Sequence, residues 1–225
     1  MEKKLFEIYM NDLTLHCDKY LSYFAVYEEY FSSFRNKEFT FVEVGVQGGG
    51  SLEMWRKYFG DKARIIGIDV DPKVLERKAD NVELFIGDQG DEDFWKETLP
   101  KIGDIDVFLD DGSHQVGHQM LTFVEVWPYI KNNGVYMCED THTSYFLDWG
   151  NGLYNNNTFL HFAKSLTDLV NKDHWQGPIH PETDFLVGKF KDIASIVFHN
   201  SMVTIRKGKP KWFRPNPYPN PLLGY

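Results

Sequence analysis

Between Thr40 and Asp140 lie five short apolar runs, FTFVEVG, ARIIGIDVD, VELFIGD, DIDVFLDD and GVYMCED, each ending in an acidic residue or a glycine. Helix-like amphipathic stretches separate them, over Leu52 to Phe59, Pro72 to Lys78, Asp91 to Leu99 and Gln115 to Ile130, the last halted by KNNG. This alternation constrains the chain more than any other feature. Strand-like runs joined by helical ones build a parallel sheet wound on both faces, and ligands collect outside the carboxyl ends of its strands. The terminal acids fall at those ends.

Further on, IASIVFHNSMVTIRKG reads as two β runs about a His199-Asn200-Ser201 turn, a hairpin that adds an antiparallel edge. The predicted class is α/β, a doubly wound, Rossmann-like, mostly parallel sheet with a C-terminal antiparallel hairpin. With 225 residues, 42% of them hydrophobic, the chain suits one domain with a sizeable core. It divides into an aromatic-rich helical segment (1–37), a nucleoside-binding core (38–145), and a region of cover, hairpin and proline-rich tail (146–225), with a helix over Thr158 to Leu169. The aromatic residues of the first segment pack on the sheet or on a partner, which leaves a homo-oligomer open.

A net charge of −9 argues against a nucleic-acid partner, which calls for a surplus of Lys and Arg. Cys17 and Cys138, the two cysteines, carry no disulfide or zinc pattern. No apolar run approaches the roughly 18 residues that span a bilayer, and MEKKLFEIYM lacks a signal-peptide core, so a soluble cytoplasmic protein is expected.

FVEVGVQGGGSLEMW is a strand, a glycine-rich turn and a helix start. Its candidate cofactor contacts are Glu43, Gly45, Gln47, Gly48 and Ser51, the glycines allowing a sharp bend and close approach of a ligand. Glu43 stands where a dinucleotide fingerprint would have its first glycine; a carboxylate there repels a pyrophosphate but pairs with an ammonium group. Asp69 is placed to accept from ribose hydroxyls, and Asp88, with Gln89 beside it, to read an adenine amino group. A cationic ligand carrying ribose and adenine is S-adenosylmethionine.

VEVGVQGGGSLEMW, GIDVDP, IGDQ, LDDGSH and EDTHTSY together resemble the class I S-adenosylmethionine-dependent methyltransferases. They are most similar to the metal-dependent O-methyltransferases that modify sugars, including macrolide sugars of the mycinamicin type. The likeness covers residues 40–145, with a looser CDKYLSYFAVYEEYF before it. It implies the class I methyltransferase fold and Lys19, Tyr23 and Asp110 on the cofactor side, with Ser22 where related enzymes tend to carry a histidine. It also implies Asp111, Glu139 and Asp140 as metal ligands and His114 as general base, with His142 as the competing base.

The implied roles have a physical basis. Neighbouring strand ends lie roughly 4.8 Å apart, so three carboxylates there raise one another's pKa unless a cation intervenes. All-oxygen ligands favour Mg²⁺, with Mn²⁺ or Ca²⁺ as substitutes. A metal acidifies a bound hydroxyl, and a histidine takes the proton. Asp110 is open to a second reading as a helix cap or loop brace, Ser113 as a helix cap, and His118 as a packing histidine or further ligand.

THTSYFLDWGNGLYNNN offers hydroxyls, aromatics and amides to a sugar, or forms a polar surface loop, and the basic run RKGKPKWFR is a solvated edge or a contact for the phosphates of a nucleotide-linked sugar. The expected activity is O-methylation of a sugar hydroxyl on a glycan precursor, nucleotide-linked sugar or glycosylated metabolite. The competing readings are an NAD(P)-dependent oxidoreductase, a non-catalytic nucleoside-binding protein and a methyltransferase of small phenols.

Overall fold

The computed structural model describes residues 3–76, 79–149, 151–176, 178, 186–190 and 192–209. Strands β1 (Thr40–Val44), β2 (Arg64–Asp69), β3 (Val82–Ile86), β4 (Ile105–Asp110), β5 (Ile130–Cys138), β6 (Ile193–His199) and β7 (Met202–Lys207) form one sheet in the order β3-β2-β1-β4-β5-β7-β6. The first five pair in parallel, and β7 runs antiparallel to both β5 and β6. The predicted class holds. The strand order reverses between β1 and β4, which opens a crevice outside their carboxyl ends.

Alternation along the strands sends residues to two cores. Phe41, Val107, Leu109, Val135 and Met137 meet α1 (Leu5–Asn11), α2 (Tyr23–Phe31) and α3 (Gly50–Phe59) on one face. Val42, Val44, Phe108, Tyr136 and Cys138 meet α4 (Glu92–Ile102), α5 (Val116–Val126), α6 (Phe159–Ser165) and α7 (Thr167–Val170) on the other. Tyr23, Phe24, Tyr27, Tyr30 and Phe31 of the first segment thus pack on the sheet, while Phe6 and Tyr20 stay exposed. Phe31 lies 5.6 Å from Trp55, 6.0 Å from Phe41 and 6.1 Å from Phe59 between ring centroids.

Several boundaries move for local reasons. The helix expected to reach Ile130 ends at Val126, and a tight turn over Trp127–Tyr129, containing Pro128, leads into β5. KNN lies inside the strand: the register jumps from Ile105↔Ile130 to Val107↔Val135 around Asn133, which bulges with φ 69°. Asp91 caps α4 by accepting from Asp93 N at 2.9 Å. Thr158 caps α6, and the predicted single helix breaks at Leu166 into two. Pro72–Glu76 is a 3₁₀ turn, and the proline-rich tail lies outside the described residues. Among the described residues no helix is long and apolar enough to cross a membrane.

Because β7 is the strand beside β5, with Val203 opposite Cys138, the hairpin turn arrives over the carboxyl end of β5. Phe31 is wholly buried and anchors α2. Phe31→Ala is expected to lower unfolding stability by about 3–5 kcal/mol, the usual cost of a large aromatic-to-alanine cavity. Urea denaturation measures it, and a loss under about 1 kcal/mol would show that α2 is not held by this cluster.

Candidate active site

The glycine loop is shaped by close approach. Gly45 has φ +93°, and a Cβ there would lie 1.9 Å from the carbonyl oxygen of Asp111. Asp69 Oδ2 accepts from Val46 N (2.8 Å) and Gln47 N (2.9 Å), so this carboxylate braces the loop as well as facing the cavity. A strap from the N-terminal segment closes the other side: Glu53 Oε2 accepts from Thr14 N and Leu15 N, both 2.9 Å, and His16 O accepts from Gly50 N at 3.1 Å.

Between loop and strap lies a cavity of about 660 Å³. Lys19, Gly45, Gln47, Gly48, Ser51, Asp69, Asp88 and Gln89 line it, together with Asp111, His114 and Asp140. His16 and Cys17 line it too, which the sequence reading missed.

Glu43, Tyr23 and Asp110 do not. Glu43 is fully buried, and the ammonium it meets is that of Lys19, at 3.3 Å, while Ser51 Oγ donates to it at 2.7 Å. Tyr23 OH donates to Asp140 Oδ1 (2.5 Å) and sits 2.8 Å from Ser201 Oγ. Asp110 lies on the opposite sheet face from Asp111, accepting from Gln89 Nε2 (3.0 Å) and Tyr136 OH (2.9 Å). It is a loop brace, since Gln89 Oε1 in turn accepts from Ser113 N at 2.5 Å.

Lys19 binds three carboxylates at once: Asp111 Oδ2, Glu139 Oε2 (3.1 Å) and Glu43 Oε1 (3.3 Å). Burial alone would lower its pKa, but Asp111, Glu139, Tyr27 and Glu43 hold it well above the ordinary lysine value. Burial pushes the Glu139 carboxyl well up, with Asp111 adding to the rise against Lys19 and the Tyr27 hydrogen bond. Burial likewise raises Asp111 and Glu43, each opposed by Lys19. Glu139 is held below by Lys19 and Tyr27, and the ligand atoms gathered within 4.8 Å of one another belong to Asp111, His114 and Asp140.

In that trio His114 Nε2 is 3.4 Å from Asp140 Oδ2, and its Nδ1 is buried without a hydrogen-bond partner among the described residues. His142 borders the trio through Asp140, its Nδ1 2.5 Å from Ser201 Oγ and 3.9 Å from Asp140 Oδ1. His118 Nδ1 lies 2.9 Å from Ser113 Oγ and 3.9 Å from Asp88 Oδ1, and Gln115 takes the cap position expected of Ser113. His114 (φ 56°), Asp140 (52°) and Ser201 (63°) all adopt left-handed backbone, which costs a side-chain-bearing residue of order 1–3 kcal/mol. Two carboxylates and an imidazole converging on the cavity wall fit a divalent cation.

In the basic run, Arg206 stacks on Tyr30 (4.9 Å) and Lys207 Nζ donates to Trp127 O (2.8 Å), so neither faces the cavity. Lys211 lies outside the described residues.

Burial pushes the Asp110 carboxyl from 3.8 up to about 6, with its Gln89 and Tyr136 hydrogen bonds pulling the other way. A folded pKa above the unfolded one means the folded state holds the proton more tightly. Stability is therefore expected to fall as pH rises from about 4 to about 6, by at most about 3 kcal/mol. Asp110→Asn removes that dependence. Urea unfolding of both proteins at pH 4 and pH 7 checks this, and parallel pH responses would place the Asp110 pKa in the ordinary range.

No family model matches the chain. In sequence it is 33% identical over 199 residues to an 8-demethyl-8-alpha-L-rhamnosyl tetracenomycin-C 2'-O-methyltransferase of Streptomyces olivaceus, covering 83% of this chain and 50% of that protein. It is 29% identical over 195 residues to a mycinamicin VI 2''-O-methyltransferase of Micromonospora griseorubida, covering 81% and 47%. The chain thus spans about half the length of the curated relatives it matches. Among solved structures it is similar to MycE, a methyltransferase of the mycinamycin biosynthetic pathway in complex with Mg and SAH, with TM-score 0.79 and 24% identity over 96% of this chain and 59% of that one. The chain has the class I methyltransferase fold and resembles sugar O-methyltransferases in sequence.

Proposed function

We propose that the chain transfers a methyl group from S-adenosylmethionine to a hydroxyl of a sugar carried by a small glycosylated molecule, with a divalent cation, Mg²⁺ first, at the reacting oxygen. The observation that carries this reading is the meeting of Asp111, His114 and Asp140 at one wall of the cavity formed by the glycine loop. The names of the sequence relatives, sugar O-methyltransferases acting on rhamnosyl tetracenomycin and mycinamicin, support the substrate class. A MycE complex with Mg, SAH and mycinamycin VI supports the cofactor pair.

The acid-lined cavity suits a cationic donor: Asp69 and Asp88 border it at the strand ends, where a nucleoside's hydroxyls and amino group are received. On the acceptor side His114 takes the proton. The sugar oxygen forms its new bond to the methyl carbon as the sulfur–carbon bond breaks, and the hydroxyl proton passes to His114. Asp140, 3.4 Å from Nε2, stabilises the imidazolium that results. Asp111 and Asp140, with His114 beside them, are the residues to hold a cation, which when bound would acidify the acceptor hydroxyl. The strap and loop hold the donor and exclude water, which an in-line displacement requires.

A transfer assay with labelled donor against glycosides, with and without EDTA, tests the reading. His114→Ala is expected to lower turnover by about 10²–10⁴-fold while SAH affinity, measured by calorimetry, stays within about twofold. Stabilisation by NAD(H) but not by SAH, or turnover indifferent to His114, would overturn it.

A further inference from the structure

We propose that a ladder of rings beside the trio, Tyr20, His142, Phe146 and Trp149, seats the apolar, non-sugar body of the acceptor. This deepens the sugar-methylation reading and rests on it. The tight turns Thr141–Tyr145 and Leu147–Trp149 follow directly from Asp140. The His142 ring lies 6.0 Å from Tyr20 and 5.2 Å from Phe146, and Phe146 lies 6.2 Å from Trp149. Interplanar angles of 84°, 68° and 83° make every step edge-to-face.

The rings face water rather than a core: Tyr20 is 57% exposed, Phe146 44% and Trp149 47%. Of the fourteen exposed large hydrophobic side chains among the described residues, six fall between Tyr145 and Tyr154. Such a concentration on one short segment marks a contact surface.

The ladder is continuous with the trio. Tyr20 follows Lys19, and His142 Nδ1 lies 3.9 Å from Asp140 Oδ1. Its base is bonded to the trio's backbone, since Thr143 Oγ1 lies 3.0 Å from the His114 carbonyl and 2.9 Å from that of Asp140. Asn151 Nδ2 donates to Thr143 O (2.9 Å), and Gly152 N donates to Ser144 O (3.1 Å), fixing the outer part. A ligand on the rings is therefore held in register with the reacting oxygen.

Charge selects the occupant. Thr141 to Asn157 contains Asp148 and neither lysine nor arginine, so the phosphates of a nucleotide-linked sugar find no lysine or arginine on this segment to pair with. A free sugar would be held at the trio alone. A neutral, largely hydrocarbon aglycone attached to that sugar extends from the trio onto the rings.

Paired phenyl and methyl glycosides of L-rhamnose, L-fucose and D-glucose isolate the effect, because each pair differs only in the apolar group. Calorimetry with SAH and Mg²⁺ present is expected to show at least one phenyl glycoside binding about tenfold more tightly than its methyl partner, the order of one good aromatic contact. Phe146→Ala and Trp149→Ala should shrink that gap to within about twofold, with SAH affinity retained as evidence of folding. The seat is overturned if no pair is distinguished, if both variants keep the gap, or if light scattering shows the variants dissociating an oligomer, which makes the rings a self-association surface. Discrimination without methylation of any glycoside by the wild type would leave the seat standing and overturn the sugar-methylation reading. Methylation without discrimination would do the reverse.

Discussion

The Lys19 ammonium is the interaction on which the rest of the site depends. It joins the ends of β1, β4 and β5, through Glu43, Asp111 and Glu139, to a strap from outside the sheet. Buried carboxylates this close cannot all stay ionised without a cation, and a buried charge left without its partner costs several kcal/mol. The strap is tied down a second time through Glu53 and the Gly50 amide. The N-terminal segment is therefore a wall of the cavity, and the packing of α2 that holds Tyr23 and Tyr27 in place bears directly on the geometry of Asp140 and Glu139.

Strand alternation explains both what the sequence disclosed and what it concealed. The five apolar runs announced the parallel sheet, and the terminal acids announced its ligand edge. Which acids share a face follows from parity: Glu43, Asp111 and Glu139 continue the register of Phe41, Leu109 and Met137 toward α2, whereas Asp110 continues that of Phe108 into the other core. That parity was legible, and so was Tyr27, one helical turn after Tyr23 on the same face of α2. Ser201 was not. Its place over Asp140 depends on β7 rather than β6 lying beside β5, a non-local choice that no local pattern records. Lys19 could be marked as a cofactor contact, but its three partners come from segments 24, 92 and 120 residues away.

The left-handed backbones at His114, Asp140 and Ser201 sit in one connected patch. Tyr23 bridges Asp140 and Ser201, His142 meets Ser201, and Asp140 faces His114. Glycine would adopt these angles at lower cost; histidine and aspartate, like the asparagines Asn36, Asn81 and Asn133, enter this region more readily than most residues, whereas Ser201 does not. At the patch the Asp140 and Ser201 side chains are engaged by hydrogen bonds from Tyr23 and His142, whereas the His114 imidazole has only the Asp140 carboxylate beside it. This is where a local rule of sequence preference is broken and a site results.

The charge arrangement also bears on the proposed chemistry. A sulfonium donor is cationic before transfer and neutral after it, so its charge is dispersing in the transition state. Bare carboxylates beside it would stabilise the ground state more than the transition state and slow the reaction. Lys19 neutralises this effect from below by engaging three of the acids, and a cation held by Asp111 and Asp140 would do so from the acceptor side. In the proposed arrangement Asp69 and Asp88, which line the same cavity, would be left to bind the nucleoside. The proposed seat would add the rings of Tyr20, Phe146 and Trp149, which carry no formal charge, on the acceptor side. The same cluster that makes the site attractive to a cation is thus kept from holding that cation too tightly to react.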